Sequence, residues 1–384
     1  MSKLSNTQIM LIKLASSSLF GSTYEKSECD WSELRQEALD QAVFPQIYSV
    51  VKSFLPKNEL PIWKALNEKI TARSLTIHYE HDELHTAMTE INCPYVILKG
   101  SGTAYYYPDP ISRMMGDVDF LVKPEDVKRA GEKIEQCGFH KKDLPEHSYH
   151  DEYERSGTEW ELHRKITDYP KGRKGDIIQA FVSDIIDTAR SVTLAGFTMN
   201  IPDDFHHCIV MLLHIARHLT KDSGIGLRHL CDWAVFVDKV DISNYKKQLE
   251  EMGLWVFACD LTAVSHKYLA GREYSWCRDI DDEFLESFIT DIICSGNFGK
   301  KELQSKESNS IVKYDSIFEA LISRTRVRFP VTVKYPFLLP LGMVICAFRY
   351  LYLRLSGKSS WLTKQDIDYA KNRKNIYNRF KLYE

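Results

Sequence analysis

The chain has 384 residues, with 50 lysines and arginines against 53 aspartates and glutamates, which gives a formal net charge of −3. This near-neutral balance gives no strong signal for a non-specific nucleic-acid binder, which usually carries a basic surplus. Hydrophobic residues make up 44% and charged residues 27% of the chain, and these ordinary values exclude disordered, collagen-like and coiled-coil proteins. The nine cysteines occur singly, without a C-x-x-C pair, so we predict reduced thiols and a cytoplasmic location.

The first predicted region, residues 1–92, is helical. Apolar residues recur along it at helical spacing, and Pro45 is predicted to separate two of its shorter stretches. The longest predicted helix runs from Ile62 to Ile91 and ends before Pro94.

The second predicted region, residues 93–200, mixes strands and helices. The runs YVILK (95–99) and VDFLV (118–122) are rich in β-branched and aromatic residues, which favours strands. A helix is predicted at about 125–137. The runs 149–155 and 158–164 flank Ser156-Gly157, and this pattern predicts a β-hairpin.

The third predicted region, residues 201–384, returns to helical spacing. Its polar stretch from Lys301 to Ser310 is interpreted as a linker or a long surface loop. The apolar run 335–348 is too short to span a bilayer, so we expect a buried core helix that starts near Pro340. The alternative is weak contact with a membrane surface through residues 335–358, because the basic residues Arg349, Arg354 and Lys358 follow the apolar run.

Three acidic residues of the second region are candidate metal ligands. Asp117 and Asp119 lie two positions apart on a predicted strand, so their side chains point to the same face. Two neighbouring carboxylates repel each other unless a cation lies between them, and Mg²⁺ prefers oxygen ligands of this kind. Glu161 lies on the second strand of the predicted hairpin. It would meet the two aspartates if that strand pairs beside theirs.

A Gly-Ser pair follows the first predicted strand. Gly100 and Ser101 stand at a strand-to-helix turn, where free backbone N–H groups attract phosphate. The chain has neither the P-loop pattern nor the G-x-G-x-x-G dinucleotide pattern.

Two residue pairs further along the chain have competing interpretations. His214 and His218 are four apart, a spacing that can bind zinc. HIARH lacks the glutamate of H-E-x-x-H, so histidines of the core or of a cleft rim are the preferred interpretation. Arg228 and Asp232 are also four apart, and form either a helix ion pair or a part of the nucleotide or acceptor site.

The order of these motifs resembles a known family. The stretch LKGSGTAYYYPDPISRMMGDVDFLV (98–122), followed by WELH (160–163), resembles the bacterial uncharacterised nucleotidyltransferases of NTP transferase type 5. That family is part of the DNA polymerase β-type nucleotidyltransferase superfamily. The order of the predicted elements indicates an α+β fold with helical regions at 1–92 and 201–384 on either side of a mixed unit at 93–200. The resemblance implies that this unit is a small mixed-sheet nucleotidyltransferase core.

The resemblance also implies a chemistry. Asp117, Asp119 and Glu161 would hold two Mg²⁺ or Mn²⁺ ions, and Glu161 would help to deprotonate the acceptor. Gly100 and Ser101 would contact the outer phosphates of a nucleoside triphosphate such as ATP.

Two cations are the remaining candidates for nucleotide binding. Arg113 could neutralise phosphate charge. Lys99 is the weaker candidate, because strand alternation predicts that its side chain turns away.

The leading prediction is metal-dependent transfer of a nucleoside monophosphate to a hydroxyl-bearing acceptor, with release of pyrophosphate. A non-catalytic nucleotide-binding or regulatory module and a phosphotransferase on the same fold are the alternatives. The sequence leaves the acceptor and the base of the nucleotide open.

Overall fold

The N-terminal region is helical, as predicted. The computed structural model describes residues 4–24, 29–143, 149–221, 224–270, 274–277, 280–297, 321–322, 325–326, 328–355 and 364–384. The first four helices are α1 (Asn6–Phe20), α2 (Trp31–Asp40), α3 (Phe44–Val51) and α4 (Leu60–Glu90). Pro45 lies in the first turn of α3, a position that tolerates its missing N–H.

A five-stranded mixed sheet lies at the centre of the α+β fold, which confirms the predicted fold class. Its strands are β1 (Tyr95–Ile97), β2 (Val118–Val122), β3 (His140–Lys141), β4 (His150–Arg155) and β5 (Thr158–His163). The spatial order is β1-β2-β5-β4-β3. Strand β2 pairs antiparallel with β1 and parallel with β5.

The predicted hairpin is confirmed as β4 and β5. Its turn residues Ser156 and Gly157 both have positive φ, 51° and 80°, as a tight two-residue hairpin turn requires. The hairpin places β5 beside β2, so the sheet pairs Val118 with Trp160, two residues from well-separated parts of the chain.

The two faces of the sheet differ in chemistry because side chains alternate along each strand. One face carries Phe120, Trp160 and Tyr153, which share a buried apolar cluster with residues of α4 and of α6 (Val127–Gln136). The opposite face carries Asp119 and Glu161. The apolar face therefore anchors the sheet, and the acidic face is turned away from that cluster.

The C-terminal half of the described chain is mainly helical, apart from one hairpin. Its elements are α7 (Arg173–Phe181), β6 (Arg190–Leu194), β7 (Phe197–Ile201), α8 (Asp204–Lys221), α9 (Leu227–Lys239), α10 (Lys246–Met252), α11 (Trp255–Ser265), α12 (Asp282–Ser295), α13 (Val331–Lys334), α14 (Leu339–Leu355) and α15 (Lys364–Arg379). The short α5 (Ser101–Ala104) follows β1. Residues of α1 and α3 share one buried apolar cluster with residues of α8, α9 and α11. The N-terminal and C-terminal helices thus form a common core, and the predicted boundaries at 92 and 200 stay predictions.

The apolar run near Pro340 forms a helix, α14, but the expectation that this helix is buried is wrong. Leu341 is 61% exposed, Val344 50% and Phe348 69%. Among the described residues, the principal neighbours of α14 are α13 and the turn Pro336–Leu338, which are too small to cover a helix of 17 residues. The polar stretch from Lys301 to Ser310 and Lys358 lie outside the described residues.

A search of the described helices for a membrane crossing found none that is both long and apolar enough.

Candidate active site

The three predicted acidic residues lie together on the polar face of the sheet. Asp117 directly precedes β2, and the parallel register places Asp119 of β2 opposite Glu161 of β5. One carboxylate oxygen from each of the three lies within 4.8 Å of the others. Their proximity depends on the pairing of β2 with β5, which brings distant parts of the chain to neighbouring strands.

Asp119 is the most buried of the three and contacts two cationic side chains. It is 3% exposed, and its Oδ1 lies 2.5 Å from Lys99 Nζ. His163 Nε2 lies 3.2 Å from the same oxygen and 3.0 Å from Glu161 Oε2. His163 Nδ1 lies 3.2 Å from the backbone oxygen of Lys165. Because acceptors face both ring nitrogens, this arrangement fits an imidazolium ion, which donates from both.

The three carboxyl groups hold their protons with very different strength. Burial alone would raise the pKa of Asp119, but Lys99 and the hydrogen bond from His163 hold it well below its usual range. The negative charge of Asp119, together with burial, raises the pKa of Asp117. Burial raises the pKa of Glu161 to about 7, against the opposing effect of the hydrogen bond from His163. Ionisation of Asp117 and of Glu161 is therefore unfavourable relative to a solvent-exposed carboxyl group when no metal is bound.

Lys99 faces the carboxylates, so the expectation that strand alternation turns it away is wrong. Strand β1 ends at Ile97, and the Leu98 N–H still donates to the backbone oxygen of Asp119. The chain then bends at Lys99, where strand alternation no longer sets the direction of the side chain. Burial would lower the pKa of Lys99, but Asp119 and Asp117 outweigh it and raise that pKa. Lys99 is therefore a charged partner of the acidic group.

The Gly-Ser turn has the backbone that the sequence predicts, but the Ser101 hydroxyl contacts histidines of α4. Gly100 has a φ of 60°, a left-handed conformation that glycine adopts without strain. The buried Ser101 Oγ lies 3.0 Å from His78 Nδ1 and 3.3 Å from His81 Nδ1. Burial lowers the pKa of each of these histidines to about 4, so both rings are neutral near pH 7.

Arg113 forms a buried ion pair with Asp232 of α9. Its Nε and Nη2 donate to the two carboxylate oxygens at 2.7 and 2.8 Å, the two-pronged geometry that arginine favours. The Tyr107 hydroxyl donates to the same carboxylate at 2.7 Å. Burial would raise the pKa of Asp232, but Arg113 outweighs it and lowers that pKa. Arg113 would therefore contact a nucleotide while its guanidinium remains paired with Asp232 of α9.

Arg228, four residues before Asp232, contacts the segment that leads to Asp117. Its Nη1 donates to the backbone oxygen of Met114 at 3.1 Å. The backbone oxygen of Arg113 accepts a hydrogen bond of 3.4 Å from Ser74 Oγ of α4. Residues of α4 and α9 therefore hold the backbone just before Asp117 and Asp119. Arg228 and Asp232 each contact the segment 113–114, so both residues of the pair join α9 to another part of the chain.

Sequence reasoning gave no role to His163, although it lies on the same strand face as Glu161. Period-two alternation predicts that position, but the hydrogen bond between its Nε2 and Asp119 depends on the register between β2 and β5. The parts played by Asp232 and by His229, which lies near His214 and His218, depend on how α8 and α9 pack. The spacing of residues in the sequence does not predict how these two helices pack.

Two adjoining cavities lie next to the acidic group. Both are lined by Leu98, Lys99, Val210 and His214. Arg113 lines the first cavity and Arg217 the second. The site therefore combines carboxylates that can hold a divalent cation with cationic walls that can face an anionic ligand such as a triphosphate.

Comparisons with known proteins agree with this chemistry. The family model described as uncharacterised nucleotidyltransferase matches residues 27–270, a span that includes the whole five-stranded sheet together with α8 and α9. A search of curated proteins found no match. The family match supports nucleotidyl transfer as the general kind of reaction, and on its extent the chain belongs to the uncharacterised nucleotidyltransferase family.

Proposed function

We propose that the protein transfers a nucleoside monophosphate from a nucleoside triphosphate to a hydroxyl-bearing acceptor, releases pyrophosphate, and depends on Mg²⁺ or Mn²⁺ for this reaction. The observation that carries the proposal is the meeting of Asp117, Asp119 and Glu161 within 4.8 Å on one face of a mixed sheet. Three convergent, partly buried carboxylates are costly to a fold unless they bind something positive.

The residues fit a hard divalent cation. All three offer carboxylate oxygens, the ligands that Mg²⁺ and Mn²⁺ prefer. The charge of Asp119 raises the pKa of Asp117, and burial raises the pKa of Glu161, so a bound cation would favour the ionised form of both side chains. Bound metal would supply charge stabilisation for the triphosphate and for the attacking oxygen during in-line displacement.

The side chains of the chain itself would handle the proton and the acceptor. The acceptor oxygen forms a bond to the α-phosphorus while the bond from that phosphorus to the β-phosphate oxygen breaks, and pyrophosphate leaves with the electron pair. Glu161 would complete the metal site and help to deprotonate the acceptor hydroxyl. His163 would hold Glu161 and Asp119 in place through its Nε2.

The nucleotide phosphates would meet Gly100, Ser101 and two cations. Ser101 would contribute its backbone N–H, because its hydroxyl is engaged with His78 and His81. Lys99 would move from Asp119 to the triphosphate when metal takes its place. Arg113 would place a positive charge at the cavity wall, facing the phosphates, while Asp232 fixes the orientation of its guanidinium.

Incubation with nucleoside triphosphates labelled at either the α- or the γ-phosphate tests the proposal. The full chain is incubated with each of the four common triphosphates and Mg²⁺, alone and with pools of small hydroxylated molecules, proteins and nucleic acids as acceptors. We expect α-label in a product and release of pyrophosphate. Transfer of the γ-label would instead show a phosphotransferase, and tight binding without either product would show a regulatory nucleotide-binding module.

Charge-removing variants test the assigned carboxylates. Asp117→Asn should abolish transfer while the metal-free protein keeps its melting temperature or gains stability, because acidic repulsion is relieved. Asp119→Asn should also abolish transfer but should lower the melting temperature, because it leaves Lys99 and His163 without the carboxylate that they contact. Glu161→Gln should be slow but should keep more nucleotide binding than either aspartate variant. Glu159→Gln is the matched control, since Glu159 lies on the same strand and is 46% exposed. Near-normal transfer by Asp117→Asn would contradict the metal assignment.

A further inference from the structure

A second cluster of potential metal ligands lies next to the carboxylates and consists of histidines alone. His214 and His218 lie one turn apart on α8, and His229 lies in the first turn of α9. One ring nitrogen from each lies within 4.8 Å of the others. The ring centroids are 4.4 Å apart for His214 and His218, 5.7 Å for His214 and His229, and 5.6 Å for His218 and His229.

We propose that His214, His218 and His229 form a binding site for a borderline divalent cation such as Zn²⁺, separate from the carboxylate site. Three imidazoles with a fourth position left open are a common ligand set for this class of ion. In a tetrahedral zinc site the ligand nitrogens lie about 3.4 Å apart, as zinc–nitrogen bonds of about 2.0–2.1 Å dictate. The three nitrogens would therefore approach one another by at most about 1.4 Å, which side-chain rotation can supply.

The protonation of the cluster favours metal over an anion. Burial, helped by His218 and Lys99, lowers the pKa of His214 well below its usual range. Burial, helped by Arg228 and His218, does the same to the pKa of His229. Neutral imidazole is the form that binds metal, so these two rings would lose no charge when an ion arrives.

One existing hydrogen bond would be exchanged on binding. The Gly226 N–H donates to His229 Nδ1 at 3.3 Å, which places the ring proton on Nε2. Ligation through Nε2 moves that proton to Nδ1 and gives up this long hydrogen bond. Because a metal–imidazole bond is far stronger than such a contact, the exchange does not prevent binding.

The position of the cluster distinguishes it from an isolated structural site. His214 and His229 line the same cavity as Lys99 and Arg113, and the charge of Asp119 acts on His214. The open coordination position of the ion would thus lie beside the proposed nucleotide site. Among the described residues, no cysteine belongs to a group that could hold a metal, so thiolate binding does not account for an ion here.

Metal titration of the full-length protein tests this proposal. Protein stripped with a chelator and then supplied with excess Mg²⁺, which occupies the carboxylates, is titrated with Zn²⁺ against a chromophoric chelator. We expect one Zn²⁺ per chain. His218→Ala and His229→Gln should each weaken binding by roughly 10–100-fold or more, since changes even to second-shell partners cost that much. Co²⁺ in place of Zn²⁺ should give a nitrogen- and oxygen-ligated spectrum without the charge-transfer band of a thiolate.

Two variants serve as controls for this titration. His140→Ala removes an exposed histidine of β3 and should leave Zn²⁺ affinity in excess Mg²⁺ unchanged. Asp119→Asn removes a proposed ligand of the other site and should weaken Zn²⁺ binding far less than His218→Ala does. Absence of stoichiometric Zn²⁺ would overturn the proposal. So would binding that survives His218→Ala but is lost with Asp119→Asn, because the ion would then lie at the carboxylates. His218 is only partly buried, so its variant keeps the test informative if His229→Gln fails to fold.

Discussion

Glu161→Gln should stabilise the metal-free protein, and should do so more strongly as the pH rises. Burial raises the pKa of Glu161 from 4.5 to about 7, so between these values the folded chain keeps a proton that the unfolded chain has lost. The unfolding free energy therefore falls as the pH rises through this window and is level above it. Since a tenfold change in an equilibrium constant is worth about 1.4 kcal/mol, the full loss is roughly 3 kcal/mol. Glutamine cannot ionise and escapes this loss.

Urea denaturation in the presence of a chelator measures the effect. Wild-type protein and Glu161→Gln are compared at about pH 5 and about pH 8. We expect the unfolding free energy of Glu161→Gln to exceed that of the wild type by up to about 2.5 kcal/mol more at the higher pH than at the lower pH. Mg²⁺ should then stabilise wild-type protein at the higher pH, by about 2.7 kcal/mol at a hundredfold excess over its dissociation constant. The same addition should stabilise Glu161→Gln less.

Glu159→Gln is the control for this experiment as well. Glu159 lies two residues before Glu161 and is 46% exposed, so its replacement should give the same stability difference at both pH values. A Glu161→Gln difference that does not change with pH would refute the reasoning, because it would mean that the folded site does not resist ionisation of Glu161.

Two further predictions concern the surroundings of the site, and a third concerns the exposed segment around α14. Asp232→Asn leaves a buried guanidinium without its partner and should destabilise the fold by about 3–5 kcal/mol; a melting temperature equal to that of wild type would contradict this. Ser101→Ala should cost about 1 kcal/mol of stability and leave nucleotide affinity within a factor of about ten; a larger loss of affinity would mean that the hydroxyl turns towards the phosphates. The combined variant Phe337→Ser and Phe348→Ser should reduce co-sedimentation with anionic vesicles, because exposed apolar side chains next to arginines bind such surfaces; failure of wild-type protein to co-sediment would end the membrane-contact hypothesis.

Much of the sheet could be predicted because each of its parts leaves a local pattern. VDFLV predicts a strand at 118–122, where the structure has β2, and Ser156-Gly157 predicts the turn between β4 and β5. The α+β class follows from the order of such patterns. The burial of a helix does not follow in the same way. The apolar composition of α14 predicts a helix correctly, but its exposure depends on which other elements lie against it.

The site could be predicted only to the extent that its residues share a strand. Asp117 and Asp119 are two apart, so alternation alone places them together. Glu161 required the additional assumption that β5 pairs with β2. The direction of Lys99 was mispredicted because alternation was extended beyond the last residue of β1. The Arg113 and Asp232 pair joins residues 119 positions apart, and no local pattern encodes a contact of that range.

The contacts of Lys99 and His163 with Asp119 reduce the affinity of the site for metal alone. Asp119 contacts both cations, so in the metal-free protein its charge is already compensated. Metal held by the carboxylates would therefore compete with Lys99, which lies 2.5 Å from Oδ1 of Asp119, and an ammonium group released by that competition needs a new anionic partner. A triphosphate that arrives with the metal provides one. Metal alone should consequently bind more weakly than metal together with nucleotide, because only the nucleotide re-pairs the lysine that the metal displaces.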